Sequence, residues 1–189
     1  MPEITVAALT APELDARLPE LAELLHACVQ DGASIGFVTP FERAEAAAFW
    51  RERVRPPLAA GARVLLAAEL GGALAGAAQL IHDTPPNQPH RADVAKVLVH
   101  PACRRRGVAR ALMEAVEAEA RVRGRSLLTL DTRPGDPAER LYLGLGWVAA
   151  GQIPGYCRDT LSDRLDPTAI MYKTLPPAPG PALARPAGG

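Results

Sequence analysis

The sequence predicts an α/β fold, and three observations predict it. Short apolar runs with strand-like patterning alternate along the chain with longer stretches whose apolar residues recur every three or four positions. Two of the strand-like runs flank Gly71-Gly72, a two-residue hairpin signal. A third run, VAKVLV, leads through a His-Pro turn and a basic, glycine-containing cluster into a strongly amphipathic helix. At 189 residues, one compact domain with a substantial core is expected.

The elements follow in order. Ile4–Leu9 alternates as a strand, and Pro12 to about Asp31 reads as one helix with Leu14, Leu18, Leu21, Leu24 and Leu25 on one face. The stretch DGASIGF, Asp31–Phe37, breaks that helix with two glycines. Phe41 to about Val54 reads as a second helix, stopped by Pro56-Pro57. Arg63–Leu70 and Ala73–Ile81 are the hairpin strands, and DTPPNQPHR is a loop. Asp93–Val99 is a strand, Arg104–Arg123 a helix and Ser126–Asp131 a further strand. A short helix over Asp136–Leu145 and strands near Trp147–Ile153 and Thr168–Thr174 complete the order. From Pro176 onward the chain is almost entirely Pro, Ala and Gly, a composition that cannot bury a core. The expected organisation is a folded domain over 1–175 and a disordered tail over 176–189.

Lys+Arg and Asp+Glu both number 21, so charge predicts neither a nucleic-acid nor a membrane partner. No apolar run approaches the length of a membrane span, and MPEITVAAL lacks the regions of a signal peptide. Cys28, Cys103 and Cys157 are widely spaced and never form a CxxC pair, which argues against a disulfide framework and a cysteine zinc site. A cytoplasmic protein is expected. No His/Cys/Asp/Glu group has metal-ligand spacing, so no metal is expected.

One stretch breaks local rules. In CRRRGVARAL, Arg104, Arg105 and Arg106 stand where a helix is expected to begin, facing the positive end of its macrodipole at roughly 0.3–1 kcal/mol each. Gly107 costs about 1 kcal/mol more if it lies in the first turn. The C-terminal end, with Arg121, Arg123 and then Gly124, obeys the rules. An anion resolves the conflict: a phosphate at a helix N-terminus receives free N–H groups and the dipole together, glycine permits close approach, and the arginines become ligands. The plainer alternative is a solvated basic turn.

Arg104-x-x-Gly107-x-Ala109 matches the Gln/Arg-x-x-Gly-x-Gly/Ala motif of the GNAT superfamily of N-acetyltransferases, and LYLGLGW, Leu141–Trp147, resembles that superfamily's later LYxxxGF element. DGASIGF, RADVAKVLV, LDT, PGYC and DPTAIMYKTL further resemble segments of its tabtoxin-resistance branch. Together these matches extend from about residue 31 to 175.

The resemblance implies a mixed, mostly antiparallel seven-stranded sheet with helices on both faces and a splay between the fourth and fifth strands. It implies acetyl-CoA as cosubstrate, with its pantetheine arm on the edge of Val97, Leu98 and Val99. Pyrophosphate would lie on Arg104, Arg105, Arg106, Gly107, Val108, Ala109 and Arg110, with Ala138 and Tyr142 beside the arm. Tyr142 is the implied proton donor to the departing thiolate. Backbone N–H near Leu98 would polarise the thioester carbonyl. Asp131 and Asp93 compete as the base, and water is the third option. In many members an asparagine precedes the tyrosine by seven residues; this chain has Gly135 there, followed by Asp136 as an N-cap.

Phe37 and Tyr156 are candidate walls of an acceptor pocket, with Asp131 at its floor. His90 and His100 border prolines and are read as loop or turn residues. A narrow site suits a small-molecule amine such as an amino acid, toxin or antibiotic; an open one suits a protein lysine or N-terminus. Neither reading precludes a homodimer. Two rivals come from other classes: the arginines as a nucleic-acid contact, disfavoured by neutral charge and absent aromatic interleaving, and an acyl-CoA-binding module without turnover.

Overall fold

Gly71 and Gly72 both take left-handed backbone, φ 62° and 83°, the type I′ geometry that matches the twist of a tight hairpin. The strands they join, β2 (Arg63–Leu70) and β3 (Ala73–Ile81), belong to one seven-stranded sheet. Its other strands are β1 (Ile4–Leu9), β4 (Arg91–Val99), β5 (Leu127–Thr132), β6 (Val148–Arg158) and β7 (Leu165–Thr174). The order is β1-β2-β3-β4-β5-β7-β6, with every neighbouring pair antiparallel except β4 and β5. The computed structural model describes residues 3–176, so the tail expected over 176–189 lies outside the described residues apart from Pro176.

Among the described residues six α-helices cover the sheet: α1 (Ala11–Ala16), α2 (Leu18–Gln30), α3 (Arg43–Ala48), α4 (Arg55–Ala59), α5 (Val108–Val122) and α6 (Pro137–Gly144). Alternation along the strands builds two cores. Val64, Leu66, Leu80 and Val94 join Leu112, Met113 and Val116 of α5 on one face. Leu65, Ala67, Ala77 and Leu98 join Leu21, Leu24 and Leu25 of α2, with Trp50, on the other. Trp50, fully buried, donates its indole N–H to the Leu21 carbonyl at 2.8 Å and so locks the helices of the second face together.

Three helix expectations are corrected. The helix expected over Pro12–Asp31 is two helices broken at Arg17, because Pro19 has no N–H for the Asp15 carbonyl and its ring would collide with that group. The expected stop at Pro56-Pro57 does not occur. A π-helical segment, Phe49–Val54, leads into α4, and the prolines fall in its first turn, where a missing N–H leaves no bond unmade. The helix expected from Arg104 begins four residues later, at Val108. β6 and β7 are also longer than expected, running through PGYC to Arg158 and back from Leu165.

Candidate active site

β4 and β5 pair only where Arg91–Asp93 meet Leu127–Thr129. Beyond that rung they separate, and a cleft of about 940 Å³ opens between them. Val94–Val99 line it with an edge that no strand covers. Leu98 buries its side chain in the second core, so its contribution to the cleft is backbone. A bulge sits in β4 on the side paired with β3: Gln79 of β3 faces Ala95 and Ala77 faces Leu98, so Ala78 alone spans Lys96 and Val97. Lys96 absorbs the extra residue at φ 52°.

At one end of the cleft the basic cluster forms a turn rather than helix. Arg105 is left-handed at φ 60° and Gly107, the N-cap of α5, at φ 89°. Alternating handedness of this kind turns successive N–H groups toward one concavity, an anion nest. Ala111 N–H makes the first α5 bond, to Gly107 O at 3.0 Å, leaving the N–H groups of Val108, Ala109 and Arg110 without intrahelical acceptors. Gly107, Val108, Ala109 and Arg110 line the cleft with Arg104 and Arg105, whereas Arg106 points elsewhere and is exposed. Arg104 is ion-paired with Asp31 at the end of α2, so it is already partly neutralised. A nest, a helix N-terminus and three arginines line this end of the cleft, a set of donors that fits a diphosphate.

At the other end lie the groups for chemistry. Tyr142 of α6 is buried, packed beside Trp147 at a ring separation of 6.0 Å, and its hydroxyl reaches the cleft with no hydrogen-bond partner among the described residues. Burial, and then the charge of Asp131, raise its pKa above the ordinary phenol value. Asp131, at the end of β5, is exposed to the cleft and lies 3.5 Å from the Thr168 hydroxyl. Asp93 stands apart: it sits on the last paired rung, ion-paired with Arg91 and accepting from the Thr129 hydroxyl, and does not line the cleft. Ala138 lines the cleft beside Tyr142. Asp136 holds the N-cap position of α6 but turns its carboxylate to Arg133 instead of capping.

Phe37 and Tyr156, the expected pocket walls, are placed differently. Tyr156 lines the cleft and is 53% exposed. Phe37 does not line it and packs against Phe41 in a tilted contact and Phe49 edge-on, at 4.7 and 5.2 Å between ring centroids. The segment that carries Phe37 is anchored firmly. Gly32 ends α2 in a Schellman motif, its N–H bonding Val29 O while Ala33 N–H bonds Cys28 O. Thr160, on the turn between β6 and β7, donates to Ala33 O at 2.8 Å and accepts Thr39 N–H at 2.9 Å. Arg133 reaches Gly32 O, Asp136, Asp159 and Asp166. Sequence reasoning assigned no role to Lys96, Arg133 or Thr160. Only Lys96 had a signal, a lone cation inside the apolar run VAKVLV.

Against this geometry the relatives can be set. The model of the acetyltransferase (GNAT) family matches residues 18–147. An uncharacterized N-acetyltransferase from the hisH-hisA intergenic region of Azospirillum brasilense is 35% identical over 118 residues, 61% of this chain and 68% of that protein. Among solved structures, yncA of Salmonella typhimurium, a proposed acetyltransferase determined with its cofactor acetyl-CoA, is similar with a TM-score of 0.72 at 20% identity, covering 96% of this chain and 99% of that one. The ribosomal-protein-alanine N-acetyltransferase of Brucella melitensis is similar with a TM-score of 0.72 at 22% identity, covering 90% and 99%. The parallel splay, the left-handed turn before α5 and the family match agree: this chain belongs to the acetyltransferase (GNAT) family.

Proposed function

We propose that the protein transfers an acetyl group from acetyl-CoA directly to a primary amine of a small molecule, such as an amino acid or an amine-bearing toxin or antibiotic. The observation that carries this reading is the unpartnered Tyr142 hydroxyl facing the same cleft as the exposed carboxylate of Asp131. The diphosphate of the cosubstrate is assigned to the N–H groups of Arg105–Arg110 with Arg104 and Arg105, and its amide arm to the open edge of Val97–Val99. Acetyl-CoA supplies the thioester, and the chain's own groups handle the protons. Tyr142 holds a proton for the leaving thiolate, and burial keeps that proton on the phenol until a thiolate, itself destabilised by desolvation, takes it.

Asp131 is the proposed partner of the acceptor's ammonium. A carboxylate is a far weaker base than an alkyl amine, so Asp131 holds and orients the ammonium, and the proton leaves the cleft through water to bulk solvent. Asp93, committed to Arg91 and Thr129, is assigned a structural role at the root of the splay. The motifs DGASIGF, PGYC and DPTAIMYKTL support placing the chain in the tabtoxin-resistance branch. The test is a screen of primary amines with acetyl-CoA, followed by release of free thiol. Small amines should be turned over with saturable kinetics. Turnover confined to peptides bearing a lysine or free N-terminus would replace this reading with protein acetylation, and tight acetyl-CoA binding without any turnover would leave a binding module.

A further inference from the structure

Strand alternation would send Lys96 into the apolar layer beneath α5. Val94 belongs to that layer and Val97 packs against it, while Ala95 and Leu98 register with Gln79 and Ala77 on the opposite face. The bulge prevents this. By taking a left-handed conformation at φ 52°, which disfavours any side chain with a Cβ, Lys96 turns its chain across to the other face. Its ammonium lies 5.8 Å from the Phe37 ring centroid and 5.9 Å from that of Phe49, within cation–π range of both. It lines the cleft and makes no hydrogen bond or ion pair among the described residues. Asp93 is committed to Arg91, and Asp131 forms no ion pair with Lys96; desolvation lowers the Lys96 pKa, against the opposing field of Asp131. A glycine or asparagine would suit this backbone better, so the strain is carried for the sake of the lysine.

We propose that Lys96 is the acceptor-recognition cation of the site, and that the acceptor is a small amine which also bears an anionic group, a carboxylate or an equivalent oxyanion. This rests on the acetyl-transfer reading above and narrows its substrate class. The two charges of such an acceptor meet complementary partners in one cleft, the ammonium at Asp131 and the anion at Lys96, which fixes which end of the molecule faces the thioester. The aromatic rings hold the Lys96 ammonium in place through its charge without accepting a conventional hydrogen bond, so it keeps N–H donors for the ligand. An unpaired cation at this position also rejects polyamines and the basic stretches of proteins, because like charge in a partly buried site is unfavourable.

The test compares matched acceptors on the purified protein with acetyl-CoA: free L-amino acids, the corresponding carboxamides and the corresponding decarboxylated amines. Wild type should turn over at least one amino acid with kcat/KM at least tenfold above its amide and its amine. Lys96→Gln should abolish that preference through a rise in KM for the acid of tenfold or more. The KM for the amide and the acetyl-CoA Kd from calorimetry should stay within about threefold. Lys96→Arg should restore most of the preference. Equal use of acid and amide by wild type, or an unchanged preference in Lys96→Gln, overturns the proposal without any need for a folded variant in the first case. Acetyl-CoA binding with no turnover of any anionic amine also overturns it and leaves the cofactor site standing. Failure to bind acetyl-CoA overturns the transfer reading itself and this proposal with it.

Discussion

Tyr142 has its ring buried against Trp147 and its hydroxyl unpartnered in the cleft, so Tyr142→Phe separates packing from chemistry. Loss of an unpaired hydroxyl should leave stability within about 1 kcal/mol. Loss of a general acid should lower kcat by roughly 10²–10⁴-fold with the acetyl-CoA Kd unchanged, as calorimetry would show. The sign of its pH dependence also follows. Because burial and Asp131 raise the phenol's pKa, the protonated acid persists as pH rises through the ordinary value of about 10, and no alkaline loss of kcat below that point should trace to Tyr142. Cys28 gives a second reading of the site that is independent of turnover. Burial pushes its thiol up to about 11, against the opposing effect of Arg104, so iodoacetamide at about pH 8 should leave Cys28 intact. Cys103, half-exposed on the cleft, should be alkylated and protected by acetyl-CoA. Mass spectrometry of the labelled peptides decides both. At this scale the motif residues were legible because an anion site must break local rules, which Arg104–Gly107 do in plain sequence. Lys96 was not, because its meaning depends on a one-residue bulge that no alternation pattern reveals.

The acceptor side of the cleft is built by elements that meet far from each other in sequence. The segment after α2 is held by Thr160 on the β6–β7 turn and by Arg133 on the loop after β5, so its position is fixed by the far edge of the sheet. Arg133 is the central contact, bonding three carboxylates and a backbone carbonyl while Arg164 independently pairs with Asp159 and Asp166. Arg133→Met should therefore destabilise by less than the 3–5 kcal/mol or so of an uncompensated buried charge, since Arg164 remains. Its larger effect should fall on the acceptor KM, with acetyl-CoA affinity preserved, because α5 and its turn are untouched. Steady-state kinetics with the two substrates varied separately would show it; equal losses for both would mean that the network supports the whole fold. The Ser162 hydroxyl hydrogen bond, helped by the Leu161 N–H and the charges of Arg164 and Arg133, holds the Asp159 pKa below the ordinary carboxylate value, and the Arg164 hydrogen bond does the same for Asp166. Their stabilisation is present above the unfolded carboxylate pKa and is lost as pH falls through their lowered folded values. Sequence displayed most elements through their periodicity, yet it misjudged three helix boundaries and did not foresee α4. The single helix expected over Pro12–Asp31 runs across Pro19, and Pro56-Pro57 is expected as a stop, when the position of a proline within a turn decides which it is.

Across the whole molecule, the two cores press on the sheet from opposite faces, and Gly76 of β3 sits where the α5 side of the sheet meets β4. A Cβ there would lie 2.6 Å from the Leu98 carbonyl oxygen and 3.0 Å from side-chain atoms of both Leu112 and Val108. β3, the open edge of β4 and the first turns of α5 thus meet at a point with no room for a methyl group. Gly76→Ala should cost about 1–3 kcal/mol through overpacking. For a chain of this length that is a fall in Tm of roughly 3–10 °C. Displacement of the Leu98 carbonyl and of Val108 would disturb the arm edge and the diphosphate turn together, so the acetyl-CoA Kd should rise by roughly tenfold or more, about 1.4 kcal/mol. Gly144→Ala is the control. It ends α6, no atom lies within 4 Å of its Cβ position and its backbone is not left-handed, so alanine there should stabilise by about 0.5–1 kcal/mol. Saturating acetyl-CoA at about 100 times Kd should add roughly 2.7 kcal/mol to wild type and to Gly144→Ala. At the same ligand concentration the gain in Gly76→Ala should be smaller by the lost affinity. Differential scanning calorimetry with and without acetyl-CoA measures all three chains, and an unchanged ligand-induced shift in Gly76→Ala would show that the packing of β3 against β4 does not set the cofactor site.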